Sequence, residues 1–167
     1  AFLSIKDISS GKIDFSNTKY VSVTEHEELC KRVRPTRGDV LFCRIGTLGK
    51  AIAVETDRPF SIFVSLGLLR PKPSLSPKFL ALLLNSPISY AQFDAIKAGG
   101  LHTQKLNLKA MAEYVLWFPD FEEQEKIVAR VEELIEICDK LDLQLRDQVL
   151  ISRKFSQSIA APKRNSV

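Results

Sequence analysis

Along the last third of the chain the apolar positions recur at alternating steps of four and three, through Ile127, Val131, Leu134, Cys138, Leu141 and Leu145. That is heptad spacing, the mark of a helix that presents an apolar seam to a partner. No glycine or proline interrupts the stretch from Phe121 to Ser158, and the repeat passes through polar Gln148 and Ser152 before resuming at Phe155 and Ile159. Val128, Ile135 and Val149 on one side and Ile137 and Ile151 on the other make the stripe wider than a two-stranded seam requires. The pattern therefore predicts one long helix that packs on the body of the protein at its start and on another helix further out. At about 1.5 Å per residue it spans roughly 55–60 Å, more than the width of a domain made from the remaining residues, so part of it is expected to project. Pro119 ends what precedes it, Asp120 is the predicted N-cap, and Glu122, Glu123 and Glu125 put negative charge where the helix dipole favours it. Pro162 closes the helix and leaves a short basic tail with Lys163 and Arg164.

Upstream the pattern is shorter and mixed. Ala1 to Ile5 reads as a strand, Asp7 to Gly11 as a turn, and the residues around Ile13 and Phe15 as a second short strand. Tyr20 to Val23 alternates as a strand, after which Thr24 and Glu27 form a capping box for a helix ending at about Arg32. Arg37 to Val54 reads as two apolar strands around a loop containing Gly46 and Gly49, and Phe60 to Leu69 as one or two buried strands. Ser76-Pro77 and Ser86-Pro87 each pair an N-cap with a first-turn proline, opening helices at 78–84 and at 88 to about 97. Gly99 and Gly100 end the second helix, Asn107 caps a further short one, and Tyr114 to Phe118 reads as a strand. The fold class is α+β. A mixed-strand globular domain is expected over residues 1–118, the long helix over 119–159 in a coiled coil or helical bundle, and a basic tail over 160–167.

Composition adds bounds. With 45% hydrophobic and 26% charged residues in a chain of 167, there is enough apolar material for a real core. No run of 18 apolar residues and no basic-then-apolar N-terminal segment suggests a membrane span or a secretion signal, so the expected location is cytoplasmic. Cys30, Cys43 and Cys138 are odd in number and widely spaced, with only His26 and His102 beside them, so neither a zinc site nor a disulfide framework is expected. Charge says more once the chain is divided at Pro119: 16 Lys and Arg stand against 10 Asp and Glu before it, and 8 against 10 from it onward. A basic body of this kind points either to a polyanion, most often nucleic acid, or to an ordinary basic surface.

Three segments carry candidate chemistry. Lys31, Arg32, Arg34 and Arg37 form a basic cluster that is either a solvated loop or a set of phosphate contacts. The loop around Gly46 and Gly49 could bring backbone N–H groups, Arg44, Thr47 and Lys50 close to a phosphate, or it is a plain hairpin whose glycines serve turn geometry. It is no nucleotide-binding P-loop, because Arg44 stands where that motif needs glycine and Ala51 where it needs Ser or Thr. The segment from Lys97 to Asn107 contains Gly100, His102, Thr103, Gln104 and Lys105. Gln104 suits adenine, Lys97 or Lys105 suits guanine or phosphate, and His102 and Thr103 are less specific; the alternative is a mobile surface loop. The candidate DNA-contacting set is thus Arg44, Thr47, Lys50, Lys97, Gly100, His102, Thr103, Gln104 and Lys105. No catalytic residue is expected. Asn85-Ser86-Pro87-Ile88 is faintly similar to the Asn-Pro-Pro-aromatic motif of amino-methyltransferases but lacks the aromatic that stacks on a flipped base.

Three stretches then resemble a known family: Phe2-Leu3-Ser4-Ile5-Lys6-Asp7-Ile8 followed by Gly11-Lys12-Ile13-Asp14; Gly38-Asp39-Val40-Leu41 through Gly46-Thr47-Leu48-Gly49-Lys50; and Glu122-Glu123-Gln124-Glu125-Lys126-Ile127-Val128 through Glu132-Glu133-Leu134 to Cys138-Asp139-Lys140-Leu141. They are similar to the specificity subunit of type I restriction-modification systems. The last stretch is the most specific, with Glu-Gln before Ile-Val and Cys-Asp before Leu in register. From Ala1 to about Ala161 the chain resembles one target-recognition domain followed by one conserved helical region. The resemblance implies a domain that binds half of a bipartite double-stranded DNA target in the major groove. It also implies a helix that pairs antiparallel with another as a spacer, in a homodimer or with a second half-subunit. Methyltransferase subunits would dock on this assembly and restriction subunits would join through them, so AdoMet, Mg and ATP would be used by those partners and no cofactor by this chain. Such subunits usually carry two recognition domains and two helical regions. A fragment, a natural half-subunit and an engineered piece therefore all stay open.

Functions of three classes compete. Sequence-specific DNA recognition that directs methylation and restriction by partner subunits accounts for the basic body, the two glycine-flanked segments and the helix together. A non-enzymatic, helix-mediated assembly scaffold with an incidental basic surface accounts for the helix alone. A nuclease or methyltransferase would need a cofactor loop, a metal-carboxylate cluster or an activated nucleophile, and the sequence offers none.

Overall fold

The computed structural model describes residues 1–46, 48–98, 104–106, 109 and 114–160. The chain divides into two compact units, Ala1–Val128 and a second from Ala129 onward. In chain order the first contains β1 (Phe2–Leu3), a 3-10 turn (Ile5–Ile8), α1 (Val23–Arg32), β2 (Val40–Cys43), β3 (Gly49–Ala53), β4 (Ser61–Ile62), β5 (Leu66–Leu69), α2 (Pro77–Leu84), α3 (Pro87–Ile96), β6 (Lys97–Ala98) and β7 (Lys105–Leu106). The first turns of α4 (Phe121–Ala160) complete it.

β2 organises the first unit. Its four residues are all fully buried, because successive side chains point to opposite faces and each face meets its own core. Leu41 and Cys43 join Leu3, Ile8, Ile52, Val54, Phe60 and Ile62 on one side. Val40 and Phe42 join Leu48, Ala51, Leu80, Leu84, Phe93 and Leu106 on the other. A strand covered on both faces reads in sequence as an unbroken apolar run, as Val-Leu-Phe-Cys does. β2 pairs antiparallel with β3 and β5 in the order β3-β2-β5, with a register shift on the β3 side between Leu41 and Cys43. Phe42 faces Gly67, where an added Cβ would lie 2.4 Å from the ring, so only glycine fits. β1 pairs parallel with β4, and β6 antiparallel with β7.

Side-chain carboxamides complete main-chain bonding where strands are missing. Asn85, at the end of α2, accepts the Ala51 N–H at 2.8 Å and donates to the Ala51 carbonyl at 2.8 Å, closing that edge of β3. Gln92 makes the same pair of bonds to Val115, at 3.3 and 3.2 Å. Tyr114 to Phe118 is therefore irregular chain rather than the strand its alternation suggests: a side chain, not a neighbouring strand, takes up its backbone groups, and Tyr114 stacks on Phe93. Gln124 is fully buried; its oxygen accepts the Ser76 N–H at 2.8 Å, and its nitrogen donates to the carbonyls of Ser74 at 3.0 Å and Pro119 at 2.8 Å.

Other differences from the sequence reading are local. The residues around Ile13 and Phe15 form no strand. Their half-buried side chains pack on the first core cluster while the buried Asp7 carboxylate ties the segment down, accepting from Ser4 N at 2.7 Å, Ser4 Oγ at 2.8 Å and Thr18 Oγ1 at 2.9 Å. α1 starts two residues earlier than expected, because Ser22 and not Thr24 caps it, its oxygen accepting from Glu25 N at 3.2 Å. Ser76 and Ser86 cap α2 and α3 with prolines in the first turn, as the sequence predicts. The helix expected after Asn107 and the tail from residue 161 lie outside the described residues.

α4 is a continuous helix of 40 residues whose N-terminal N–H groups are capped by Asp120, the Glu123 N–H meeting Asp120 Oδ1 at 3.0 Å. Gln124 and Val128, four residues apart, are buried on one side of its first turns. Of the seam residues, Ile127 and Val131 are half-buried, Cys138 is exposed, and Leu134, Leu141 and Leu145 are 45%, 53% and 60% exposed. Pairs such as Lys126–Glu122 at 2.8 Å and Arg146–Asp142 at 2.8 Å support the helix along its polar face.

Candidate nucleic-acid interface

Where the chain leaves β2 it meets the second glycine-flanked segment. The Arg44 N–H donates to the Ser65 carbonyl at 3.0 Å, and the Arg44 carbonyl accepts the Leu106 N–H at 2.8 Å. Ile45 then bridges Lys105 in antiparallel fashion, and the Gly46 N–H donates to the Gln104 carbonyl at 2.9 Å. In the same layer Lys97 lies opposite Leu106 and Ala98 opposite Lys105. Two segments far apart in sequence are thereby joined through main-chain bonds at one end of β2. Lys97 and Ala98 are thus paired with Lys105 and Leu106. α3 stops at Ile96, before Gly99, with Lys97 as its C-cap.

The glycines here serve geometry. Gly46 and Gly49 have φ of 85° and 84°, in the left-handed region, and Lys50 shares it at 44°. At Gly49 the left-handed backbone favours glycine, and a Cβ there would also lie 2.7 Å from the partly exposed Tyr90 ring, which would have to move. Lys50 and Lys105 are exposed and make no ion pair among the described residues. Burial pushes the Cys43 thiol above its usual range, and the nearby Lys50 ammonium pulls it partly back. Lys97 is half-buried and holds Asp94 Oδ1 at 2.7 Å. Arg44 is half-buried, and its Nε is shielded from solvent with no acceptor among the described residues, a costly condition for a donor. Gln104 is half-buried. Thr47, Gly100, His102 and Thr103 lie outside the described residues.

The earlier basic cluster lies at the other end of β2 and is partly spent on structure. Arg37 grips Asp57 with Nε at 3.0 Å and Nη2 at 2.7 Å, and that hydrogen bonding raises the arginine's pKa and lowers the aspartate's. Arg70 spans Asp39 with Nε at 2.7 Å and Nη2 at 2.9 Å. Burial pushes the Asp39 carboxyl up, but the bonds from Arg70 and Thr36 and the arginine's charge outweigh it and hold it below the usual carboxylate range.

Two neighbours of the site were not singled out from sequence: Tyr90, whose ring covers Gly49, and the turn Phe63-Val64-Ser65, whose Ser65 carbonyl holds Arg44. No sequence signal marked them: Phe63 and Val64 simply continue the apolar run that begins at Phe60. Among the described residues no group of His, Cys, Asp and Glu is arranged to hold a metal ion, and no helix is long and apolar enough to cross a membrane.

Residues 2–150 match the family model described as the type I restriction modification DNA specificity domain. The specificity subunit of the EcoBI type I restriction enzyme of Escherichia coli is 27% identical over 156 residues, which are 93% of this chain and 32% of that subunit. The crystal structure of the HsdS subunit from Thermoanaerobacter tengcongensis superposes with a TM-score of 0.68 at 21% identity, covering 99% of this chain and 44% of that one. This last likeness concerns the fold. The chain spans about a third of the length of the Escherichia coli subunit and under half of the Thermoanaerobacter chain.

Proposed function

The chain belongs to the type I restriction modification DNA specificity domain family, and from that premise we propose that it recognises one half of a bipartite target in double-stranded DNA. In this reading it directs methylation and restriction carried out by methyltransferase and restriction subunits, which bring AdoMet, Mg and ATP, while it contributes no chemistry of its own. The observation that supports it most is the main-chain junction of Arg44, Ile45 and Gly46 with Gln104, Lys105 and Leu106. Exposed Lys105 and the side-chain amide of Gln104 belong to that junction, and exposed Lys50 stands at the start of β3, which supplies the mixture of phosphate-neutralising and base-reading groups that duplex recognition uses. Thr47, Gly100, His102 and Thr103 remain candidates on their sequence chemistry. Selection from randomised duplexes at moderate salt, with the chain alone and with a methyltransferase subunit, tests this. One enriched half-site is the expected result, and no enrichment under either condition overturns it.

The exposed stripe of α4, with Leu134, Leu141 and Leu145 in solvent, favours a second role beside the first: pairing with the helix of a second copy or of another half-subunit. If assembly were the whole function, reversing the charge of Arg44, Lys50, Lys97 and Lys105 would leave biological activity unchanged, while Leu134→Asp would abolish it.

A further inference from the structure

We propose that the turn Phe63-Val64-Ser65 reads a thymine in the half-site, Val64 meeting the 5-methyl group in the major groove and Phe63 acting as the positioning residue. This rests on the DNA-recognition reading above. Turn tips are usually polar, yet Phe63 and Val64 are 46% and 47% exposed while Ile62, Ser65 and Leu66 around them are buried. The turn is rigid: Leu66 N–H closes it on the Phe63 carbonyl at 2.9 Å, and Phe63 N–H is held by the Leu3 carbonyl at 2.8 Å. The Phe63 ring stands edge-on to Phe2, with centroids 5.8 Å apart at 89°. Ser65 in turn holds Arg44, so the turn adjoins the candidate interface directly.

Charge complementarity names the occupant. Phe63 and Phe2 line a groove of about 300 Å³ together with Ser4, Lys6 and Lys19. Lys6 leans on the Asn17 carbonyl at 2.6 Å, and Lys19 is exposed and without an ion pair among the described residues. Lys6 and Lys19 share the groove with Phe63, and Arg44 is bonded to Ser65 of the turn; an apolar tip among such cations suits a duplex, whose phosphates flank its base edges. Val64 has no side-chain donor or acceptor. The one base feature in the major groove that such a side chain can distinguish is the thymine methyl, because every other edge there presents hydrogen-bonding groups.

The test takes the selected half-site and replaces each thymine singly by 2′-deoxyuridine, which removes only the methyl group. At one position the full wild-type chain is expected to bind about fourfold more weakly, the worth of one buried methyl or methylene. Val64→Ala should weaken binding to the thymine duplex by a similar factor and be indifferent to uridine there, so that the two changes are coupled in a double-mutant cycle. Phe63→Leu should leave binding to the uridine duplex unchanged, weaken binding to the thymine duplex towards it, and lose most of that coupling. The inference is overturned if the selected half-site lacks thymine, or if no thymine position couples to Val64. It is equally overturned if Val64→Ala weakens thymine and uridine duplexes alike, which is the behaviour of a wedge between base steps. A chain that selects no duplex sinks the DNA reading itself, a distinct result.

Discussion

The side-chain oxygen of Gln124, on the first turn of α4, accepts the main-chain N–H of Ser76, the N-cap of α2, at 2.8 Å, and the same carboxamide donates to Ser74 and Pro119. One fully buried side chain therefore ties the start of the long helix to the segment before α2. Gln124→Leu keeps the volume but leaves the Ser76 N–H and two carbonyls without their partner. Each buried orphan group costs about 1–3 kcal/mol, so with three groups affected a loss of at least about 3 kcal/mol is expected in urea denaturation of the whole chain. Gln124→Glu is expected to be no better, since a carboxylate would face the Ser74 and Pro119 carbonyls.

Gly67 carries the second prediction. Its missing Cβ is the space taken by the Phe42 ring, at 2.4 Å from where the atom would stand. Gly67→Ala must push a fully buried ring in the middle of β2, an overpacking cost of about 1–3 kcal/mol. Because the clash has a single source, Phe42→Leu should relieve part of it. A double-mutant cycle with a coupling energy near zero would show that the strain lies elsewhere.

Much of this fold was legible in the sequence, and the reasons differ by element. α4 and its Asp120 cap could be read because a long periodic stripe and a capping residue are local signals, and so could Ser76-Pro77 and Ser86-Pro87. Val-Leu-Phe-Cys was legible as an apolar strand, while its burial on both faces is a finding of the structure. What stayed hidden was tertiary. Gln92 takes up the backbone of Val115, and Asp7 holds the chain past Ile13, so both segments alternate like strands without being paired as strands. In the candidate site, Arg44, Lys50, Gln104 and Lys105 were chosen by loop chemistry, but no sequence signal said that Gly46 would bond to Gln104. Phe63 and Val64 were invisible for the opposite reason: in sequence an exposed apolar tip looks like more core.

Acid should act through Asp39. Its carboxyl is held below the usual carboxylate range in the folded chain, whereas an unfolded aspartate titrates near 3.9. A lowered folded pKa stabilises the fold at pH above the unfolded value, and that contribution is lost as pH falls below about 4 through the folded pKa. Asp39→Asn should therefore be less stable at neutral pH and show a smaller loss between pH 5 and 2. Urea midpoints measured across that range check this; an unchanged slope would mean that the Arg70 pairing does not contribute.

The α4 stripe predicts concentration-dependent association. Leu134, Leu141 and Leu145 stand in solvent in the single chain, and heptad spacing places them on one seam. Light scattering should show a dimer or larger species at micromolar concentration, and Leu141→Asp should shift it to monomer. The far-ultraviolet circular dichroism of the Ala1–Val128 unit's strands and helices should persist in the variant. A wild-type chain that stays monomeric over that range would mean that the seam accepts only a different half-subunit.

Charge reversal separates contacts that position DNA from contacts that read it. Lys50 and Lys105 are exposed and unpaired among the described residues, so Lys50→Glu and Lys105→Glu should weaken binding to all duplexes and lower the salt slope by about 1 each. Lys97→Glu should do less, because Lys97 already holds Asp94 at 2.7 Å and brings less unneutralised charge to the surface. Gln104→Ala should instead leave the salt slope alone and relax preference at one base pair, costing about 1–3 kcal/mol against the selected sequence only. If Gln104→Ala and Lys105→Glu gave the same profile over a panel of single-base variants, the side chain of Gln104 would not be reading a base. The main-chain bond from Gly46 to the Gln104 carbonyl would then be that residue's whole contribution, since it survives the change to alanine.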